Sequence, residues 1–316
     1  MSEYNYDYMP PVFDDGGYKP FRKRHPFVFW LIAVVLLGLA GFIFVSCMRS
    51  MINDPNFASI YGGKQIGVVN VEGIILDSND VVDWIQKLEE NPNVVGVLVR
   101  IDSPGGAVTP SEEIYFALDR LAGKKPMVAS MGTLAASGGY MVALPAHHIV
   151  ASPSTITGSI GTRMDMANWE GLMDKIGIKD QSLASGGMKD AGSPYREMSD
   201  EERAYFMSML TDMHEYFKEM VVKHRRLSQA DVDEVADGRA YTGRQALNLG
   251  LVDSLGGKYE ALQTLNEMTD NQAAGSIMLE GPPKKYTFME KMFESMFTAW
   301  NNAQVNASFQ KPLFYF

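Results

Sequence analysis

The sequence has very little cysteine: Cys47 is the single one among 316 residues, so no disulfide bond can form within the chain. It also has only five histidines, and none has the spacing from another that a metal site requires. Aspartate and glutamate outnumber lysine and arginine, which gives a formal net charge of −10 and argues against a protein that binds nucleic acid. The composition therefore predicts no disulfide framework, no metal or other cofactor, and no nucleic-acid partner.

Charged residues are missing altogether from residues 27–48, a run of 22 apolar and small residues. Such a run is long enough to cross a bilayer as a helix. Arg22, Lys23 and Arg24 precede it, and the positive-inside rule then keeps the N-terminus in the cytoplasm and exports the rest of the chain. The sequence thus predicts a single-pass membrane protein whose larger part is extracytoplasmic.

Two alternatives to a retained membrane helix remain open. A cleaved secretory signal is the first, although the run is longer than usual for one and no Ala-x-Ala site follows it. The second is a lipoprotein-like cleavage site before Cys47, in which Phe44 stands where an aliphatic residue is usual. A cysteine without any role in the membrane segment is the simpler explanation.

The remaining chain divides into segments of different character. Residues 1–26 have no helical or strand period and are predicted to be a disordered cytoplasmic tail. Residues 49–64 have the character of a linker, and residues 65–270 are predicted to form the folded domain. Residues 271–316 are predicted to carry a C-terminal helix, over the amphipathic stretch 287–300, and a tail.

Short apolar, β-branched runs alternate with helical patterns in the folded domain. Nearly continuous apolar runs are typical of parallel strands that are buried on both faces. The predicted strands are residues 65–71, 94–101, 127–131 and 149–151. The predicted helices are residues 80–90, a helix that opens at Thr109, and residues 200–226, with a capping box between Ser199 and Glu202. This alternation predicts an α/β layered domain.

Ser137 is the first candidate for chemistry. It lies in Ala136-Ser137-Gly138-Gly139, between a predicted strand and a predicted helix, where small neighbours leave its hydroxyl accessible. A serine becomes a nucleophile only when a neighbouring base takes its proton. The alternative is a serine that caps the following helix, which is the commoner role.

Lys189 is the candidate base, 52 residues after Ser137 in a second glycine-rich stretch. A lysine amine is uncharged at neutral pH only where its surroundings, above all burial, lower its pKa. No histidine lies between His148 and His214 to take this role. Ser159, in Thr157–Gly161, could accept a hydrogen bond from the neutral amine and orient it. The alternatives are a solvated surface lysine and a turn serine.

Glycines supply candidate donors for an oxyanion hole. Gly105 and Gly106 follow a buried strand and precede a helix, so their N–H groups can approach a ligand without a Cβ in the way. Gly138, next to the serine, is placed to join them in holding negative charge that develops during acyl transfer. Pro-Gly-Gly also makes plain turns, which is the alternative.

In their order and spacing these segments resemble the signal peptide peptidase A family, the serine–lysine peptidases of the Clp/crotonase superfamily. The resemblance covers residues 64–262, and within this range it includes residues 238–246 and 250–257. It implies that Ser137 is the nucleophile, Lys189 the general base and Ser159 the orienting group. It further implies a Clp/crotonase-like spiral of ββα units and assembly into a homo-oligomeric ring. The length fits the short, bacillus-type branch, in which one copy of the fold carries both dyad members, so each subunit is expected to hold its own dyad; completion of the dyad at an interface is the alternative.

The function implied by this resemblance is a membrane-anchored endopeptidase. It would hydrolyse apolar peptides, such as cleaved signal peptides, at the extracytoplasmic face of the membrane. The nearest rival is a Clp-type serine–histidine peptidase, but this sequence has no histidine at a suitable spacing for that mechanism. The other rivals are a crotonase-like acyl-transfer enzyme, which would need an acidic catalytic residue, and a membrane scaffold without catalysis.

Overall fold

A computed structural model describes residues 23, 25–52, 63–272 and 275–283. The chain divides into two units, Met1–Gly62 and Gly63–Phe316. The predicted cytoplasmic tail (apart from residues 23, 25 and 26), most of the linker and the predicted C-terminal helix 287–300 lie outside the described residues.

The first unit contains one long helix, α1 (Pro26–Ile52). Its stretch Pro26–Met48 has a mean hydropathy of 2.8 and is the one helix of the described residues that is long and apolar enough to cross a membrane. Length and composition suit a membrane anchor, and they suit an export signal equally well. The free thiol of Cys47 lies exposed on this helix.

The second unit is built on an eight-stranded sheet with the order β6-β5-β3-β2-β1-β8, in which β4 also pairs with β3 and with β7. Every pairing in it is parallel except that between β5 and β6. The strands are β1 (Gln65–Glu72), β2 (Val94–Ser103), β3 (Met127–Ala136), β4 (His148–Ala151), β5 (Ile156–Gly158), β6 (Ala240–Thr242), β7 (Ser254–Leu255) and β8 (Ile277–Gly281). The predicted mixed α/β class is confirmed.

Helices cover both faces of this sheet. They are α2 (Asn79–Glu90), α3 (Val108–Ala122), α4 (Gly138–Ala143), α5 (Glu170–Ile176), α6 (Asp200–Arg225), α7 (Gln229–Val235), α8 (Gly243–Asn248) and α9 (Lys258–Met268). The larger apolar cluster joins one sheet face to α2, α3 and α4, and the smaller cluster joins the other face to α9. Val68 and Val69 are neighbours in β1 that bury opposite faces, which is why the strand reads as a continuous apolar run.

The short strands β5, β6 and β7 have no counterpart in the sequence-based prediction, and two further strands, β3 and β8, differ from it. β3 continues to Ala136, five residues past the predicted end, because Ala135 and Ala136 are small but buried against neighbouring strands. β8 pairs with β1, so the sheet extends past residue 270. Most of β8 is exposed, and an exposed edge strand has no long apolar run that would reveal it.

Helix α6 is buried over only part of its length. Its start is fixed by the predicted capping box: Ser199 Oγ accepts from the Glu202 N–H at 3.2 Å, and the Glu202 carboxylate accepts from the Ser199 N–H at 2.8 Å. Phe217, Met220 and Val221 in its second half pack into the core. The first half lies instead against the segment that precedes it in the chain.

That segment, residues 162–198, is here called the arm. It contains α5 and none of its residues is fully buried. Several of its large apolar side chains are exposed, namely Met164, Met166, Trp169, Leu172, Ile176, Ile178, Leu183 and Met188. Two contacts tie the arm to α6: the Thr162 hydroxyl donates to the Leu210 carbonyl at 2.9 Å, and Arg196 pairs with Glu202.

Candidate active site

Ser137 occupies a sharp turn between β3 and α4. Its backbone has φ 53° and ψ −122°, a conformation that costs a non-glycine residue about 1–3 kcal/mol unless its surroundings impose it. They do so here: the Ser137 N–H donates to the Gly158 carbonyl at 2.8 Å, and the Ser137 carbonyl accepts from the N–H groups of Tyr140 and Met141, both at 2.9 Å. The hydroxyl is thereby presented, half-exposed, at the end of the strand. This is the strand–turn–helix arrangement that the sequence predicted.

The backbone N–H groups around Ser137 fall into two kinds. The Gly105 N–H donates to Ser103 Oγ at 3.1 Å, and Ser103 Oγ in turn donates to the Gly73 carbonyl at 2.6 Å. Within the described residues, neither the Gly106 N–H nor the Gly138 N–H donates to a protein acceptor. Of the three glycines predicted as donors, Gly106 and Gly138 are therefore the two with unused N–H groups.

Gly105 contributes to the site because glycine has no side chain. Its φ is +89°, which favours glycine, and a Cβ at this position would lie 2.6 Å from the Gly138 nitrogen. The absence of that carbon keeps the approach to the Gly138 N–H open. Gly106 is equally constrained, because a Cβ there would collide with the backbone of Ile75, with which it forms a parallel bridge.

A cavity of about 660 Å³, here called the Ser137 cavity, opens in front of this turn. The structure brings four of the sequence-predicted residues together on its wall: Ser137, Ser159, Gly105 and Gly106. The other lining residues are Ile74, Pro104, Val108, Gly161, Thr162, Arg163, His214, Asp237 and Gly238. A cavity of this size can hold several atoms of a peptide next to the serine hydroxyl.

Ser159 reaches the cavity because β5 ends level with β3. The Thr157 hydroxyl donates to the Ala135 carbonyl at 2.6 Å, and Gly158 is paired with Ala136 across the sheet. Ser159 has φ 50°, and its N–H donates to the Arg239 carbonyl at 2.9 Å. Its hydroxyl has no hydrogen-bond partner in the part of the chain that the structure describes. The group is therefore free to accept or donate a hydrogen bond within the cavity.

Lys189 lies elsewhere, in the arm, and is not among the residues that line the Ser137 cavity. Its backbone N–H donates to the Gly186 carbonyl at 3.0 Å in a local turn, and its side chain is exposed. The amine makes no ion pair or hydrogen bond with the described residues. A single chain thus brings Ser137, Ser159 and the glycines together without Lys189.

Arg196 holds the residue after Lys189 against the start of α6. Its guanidinium donates to the Asp190 side chain at 3.1 Å and to both Glu202 oxygens, at 2.9 and 2.6 Å. Hydrogen bonds from Arg196, and from the Ser199 N–H, lower the pKa of Glu202 to about 2. Glu202 is buried at 4% exposure, so it remains an anion held by these donors. Arg196 is thus a structural ion-pairing residue, and its pairs lie within one chain.

His214 is a cavity residue that sequence reasoning missed. Its distance along the chain from Ser137 does not suit a Clp-type serine–histidine peptidase, so the sequence alone does not indicate a role for it. It lies on α6, one turn before Phe217 and two turns before Val221, on the face that packs inward. A histidine on the apolar face of a helix was the available signal, since residues at these spacings share one side of a helix.

A buried polar network supports α4 from behind. The Tyr140 hydroxyl donates to the Leu251 carbonyl at 2.9 Å, and burial raises the pKa of Tyr140 well above its ordinary value. Arg225 donates to both Asp253 oxygens, at 2.9 and 2.8 Å, and to the Gly250 carbonyl at 3.0 Å. Burial acts to raise the pKa of Asp253, but the hydrogen bonds and charge of Arg225 lower it overall. Helix α4, which follows Ser137, is thus held in place by buried hydrogen bonds.

Comparison with known proteins identifies the family of this chain. Residues 119–272, which include Ser137, Ser159, Lys189 and His214, match the model of peptidase family S49. A candidate protease from Methanocaldococcus jannaschii is 35% identical over 263 residues, which are 78% of this chain and 84% of that protein.

Two further relatives come from bacteria. A candidate protease from Synechocystis is 41% identical over 201 residues, which are 63% of this chain and 73% of that protein. A candidate signal peptide peptidase SppA from Enterococcus faecium is 33% identical over 220 residues, which are 65% of this chain and 63% of that protein.

Proposed function

Because the chain belongs to peptidase family S49, we propose that it is a serine endopeptidase in which Ser137 is the nucleophile and Lys189 the general base. One observation carries this proposal: a serine in a strained turn faces a cavity beside two backbone N–H groups that have no acceptor among the residues that the structure describes. This combination provides a nucleophile together with an oxyanion hole, the two requirements of acyl transfer.

The proposed reaction passes through an acyl-enzyme. The neutral amine of Lys189 takes the proton of the Ser137 hydroxyl while the Ser137 oxygen attacks the peptide carbonyl carbon. The N–H groups of Gly106 and Gly138 stabilise the oxyanion, and the Ser159 hydroxyl orients the amine. The protonated amine then donates its proton to the leaving nitrogen as the peptide bond breaks. Water then attacks the acyl-enzyme ester in the same way, with the amine again as the base. This step releases the acid product and restores the serine.

We further propose that Lys189 enters the site from a neighbouring copy of the chain. Lys189 is exposed and outside the cavity of its own chain, and Trp169, Leu172 and Leu183 on the same arm are exposed apolar residues. Exposed apolar groups of this kind are typical of interaction surfaces. A neighbouring copy that covered the arm would also remove the amine from water, which is the condition for an uncharged lysine. In this proposal the Ser137–Lys189 dyad forms only when copies of the chain assemble into the homo-oligomeric ring.

The remaining parts of the proposal concern fold and location. We propose that residues 65–270 form the peptidase domain as a Clp/crotonase-like spiral of ββα units, with β8 as an added edge strand. Helix α1 would anchor it with its N-terminus in the cytoplasm and the domain at the extracytoplasmic face, in contact with lipid. The substrates would be apolar peptides such as cleaved signal peptides, as the name of the Enterococcus faecium relative suggests.

His214 is the rival candidate for the base. It lines the Ser137 cavity within the same chain, so a serine–histidine mechanism needs no second copy. The two mechanisms differ in which variant loses activity and in whether two inactive variants can complement each other.

The deciding experiment mixes two variants in one assembly. Ser137→Ala and Lys189→Ala are co-expressed with different tags, mixed oligomers are isolated by tandem purification, and hydrolysis of a fluorogenic apolar peptide is measured. Each variant alone is expected to lose about 10⁴-fold in rate or more. Random mixing gives about a quarter of sites an intact serine and an intact neighbouring lysine, and the rate should recover accordingly.

The controls address the alternatives. Lys179→Ala, on the same exposed arm, should keep full activity because this lysine has no proposed role. A fluorophosphonate should label the wild-type chain and fail on Ser137→Ala, which separates a serine enzyme from a scaffold and from a crotonase-like enzyme. An active Lys189→Ala variant beside an inactive His214→Ala variant would reject the lysine mechanism.

A further inference from the structure

Ser103 directly precedes Pro104, Gly105 and Gly106, the three consecutive residues that line the Ser137 cavity. It is the last residue of β2 and is fully buried. Its hydroxyl makes two hydrogen bonds: Oγ accepts from the Gly105 N–H at 3.1 Å and donates to the Gly73 carbonyl at 2.6 Å. This one side chain therefore joins the segment after β2 to the segment after β1.

The two segments also pair through three main-chain hydrogen bonds. They run from the Gly73 N–H to the Asp102 carbonyl at 2.9 Å, from the Ile75 N–H to the Gly105 carbonyl at 3.0 Å, and from the Ala107 N–H to the Ile75 carbonyl at 2.8 Å. Between these bonds Pro104 has no N–H to donate, and Gly105 has a φ of +89°. Within the described residues, the Gly105 N–H and the Gly73 carbonyl have no hydrogen-bond partner other than the Ser103 hydroxyl.

The bond from Ile75 to the Gly105 carbonyl sets the direction of the Gly106 N–H. The Gly105 carbonyl and the Gly106 N–H belong to one trans peptide unit, in which the two groups point in opposite directions. The carbonyl points to Ile75, which lies just past β1, so the N–H points away from β1. β3 and the Ser137 turn lie on the other side of β2. The Gly106 N–H is therefore directed towards the Ser137 side.

We propose that Ser103 is a positioning residue, whose hydroxyl holds the Gly105–Gly106 peptide unit in the orientation that directs the Gly106 N–H towards Ser137. Two successive glycines allow many backbone conformations, so this orientation needs a restraint from outside the two residues. The hydroxyl provides it by binding the Gly105 N–H, while its own bond to the Gly73 carbonyl fixes the hydroxyl. A donor held in place before the reaction stabilises an oxyanion without a cost of reorganisation. The inference rests on the proposed role of Ser137 as the nucleophile.

The test compares two buried serines in the full chain. Ser103→Ala removes the hydroxyl, and Ser103→Cys replaces it with a thiol, which is a weaker donor and acceptor. Ser130→Ala is the matched control: Ser130 is also fully buried in the sheet, and its hydroxyl accepts from Arg100 at 2.9 Å, but it does not line the cavity. The measurements are kcat and KM for a blocked fluorogenic apolar peptide, and the melting temperature.

A pair of inhibitors distinguishes positioning of the donor from a general loss of structure. The Ser137 oxygen adds to the carbonyl carbon of a peptide aldehyde, the serine proton passes to the base, and the former carbonyl oxygen becomes the oxyanion. The alcohol of the same peptide has no carbonyl carbon to attack, so it binds without forming a bond to Ser137. The inhibition constants of the aldehyde and the alcohol are measured for each variant.

We expect Ser103→Ala to lower kcat about 10- to 100-fold, less than the loss of a whole oxyanion donor, because the N–H remains but is no longer held in place. Inhibition by the aldehyde should weaken by a similar factor, since its oxygen depends on the same donor. KM and inhibition by the alcohol should change little. Ser103→Cys should lie between Ser103→Ala and the wild type, and Ser130→Ala should keep the wild-type kcat whatever its melting temperature.

An unchanged kcat in a folded Ser103→Ala variant would overturn the inference. Equal losses of kcat in Ser103→Ala and Ser130→Ala would also overturn it, because they would reflect general destabilisation. If Ser103→Ala does not fold, Ser103→Cys decides, and a wild-type kcat in that variant counts against the inference. A Ser137→Ala variant that stays active would instead contradict the proposed nucleophile, independently of Ser103.

Discussion

The turn around Ser137 and the arm around Lys189 differ in how completely one chain fixes them. Ser137 is held by hydrogen bonds to β5 and α4, lies above a buried core and has a backbone conformation that only its surroundings can maintain. Lys189 lies in a segment without a fully buried residue, and its amine has no partner among the described residues. The proposed nucleophile and the proposed oxyanion donors thus lie together within one chain, whereas the proposed base lies apart from them.

The largest effect in this comparison should follow a change of one carbon atom beside Ser137. Gly105→Ala would place a Cβ 2.6 Å from the Gly138 nitrogen at φ +89°, and so block the approach to a proposed oxyanion donor. We expect kcat/KM to fall about 100- to 1000-fold. Gly123→Ala is the matched control, because its φ is −65° and the nearest atom to its Cβ is 3.5 Å away. A folded Gly105→Ala variant with a normal rate would remove the Gly138 N–H from the mechanism.

A second substitution tests whether the Arg225–Asp253 ion pair stabilises the fold around the Ser137 turn. Arg225→Ala would leave Asp253 without its bidentate partner and should lower the free energy of unfolding by about 3 kcal/mol, the low end for a buried pair because Asp253 is partly exposed. Chemical denaturation measures this change. Arg244→Ala, which removes an exposed arginine, should cost less than about 0.5 kcal/mol. Equal losses in the two variants would mean that the buried pair does not support the fold as argued.

The smallest expected effect concerns the attachment of the arm. Arg196 and Ser199 hold the pKa of Glu202 at about 2, below its ordinary value, so the carboxylate contributes stability that is complete above about pH 4.5 and is lost as the pH falls towards 2. Hydrogen exchange in residues 190–202, corrected for intrinsic rates, should therefore accelerate across this window. Glu202→Gln should exchange faster at neutral pH and show a flatter acid dependence. An unchanged profile in the variant would contradict the role of this pair.

The parts of the site that depend on local patterns could be predicted from the sequence. The strands β1 and β2 have apolar residues on both faces, and the small residues around Ser137 sit between a strand and a helix, so the turn could be located. The capping box at Ser199 was predictable for the same reason.

The rest depends on contacts between distant segments. Gly105 and Gly106 look alike in the sequence, and only the position of the Ser103 hydroxyl shows which N–H is used. The arm has no repeating pattern that would indicate where Lys189 lies. Helical spacing shows that His214 shares the inward face of α6 with Phe217, but only the packing of that helix in the fold brings His214 to the cavity.

The separation of Lys189 from the cavity of its own chain has a consequence for when the enzyme is active. If a neighbour supplies the amine, dilution switches hydrolysis off, because a solitary copy has no base for its serine. Isolated copies would then be inactive, and hydrolysis would begin only where the local density of the chain allows copies to meet. The specific activity of the purified chain should accordingly fall on dilution, at a concentration set by the affinity between copies.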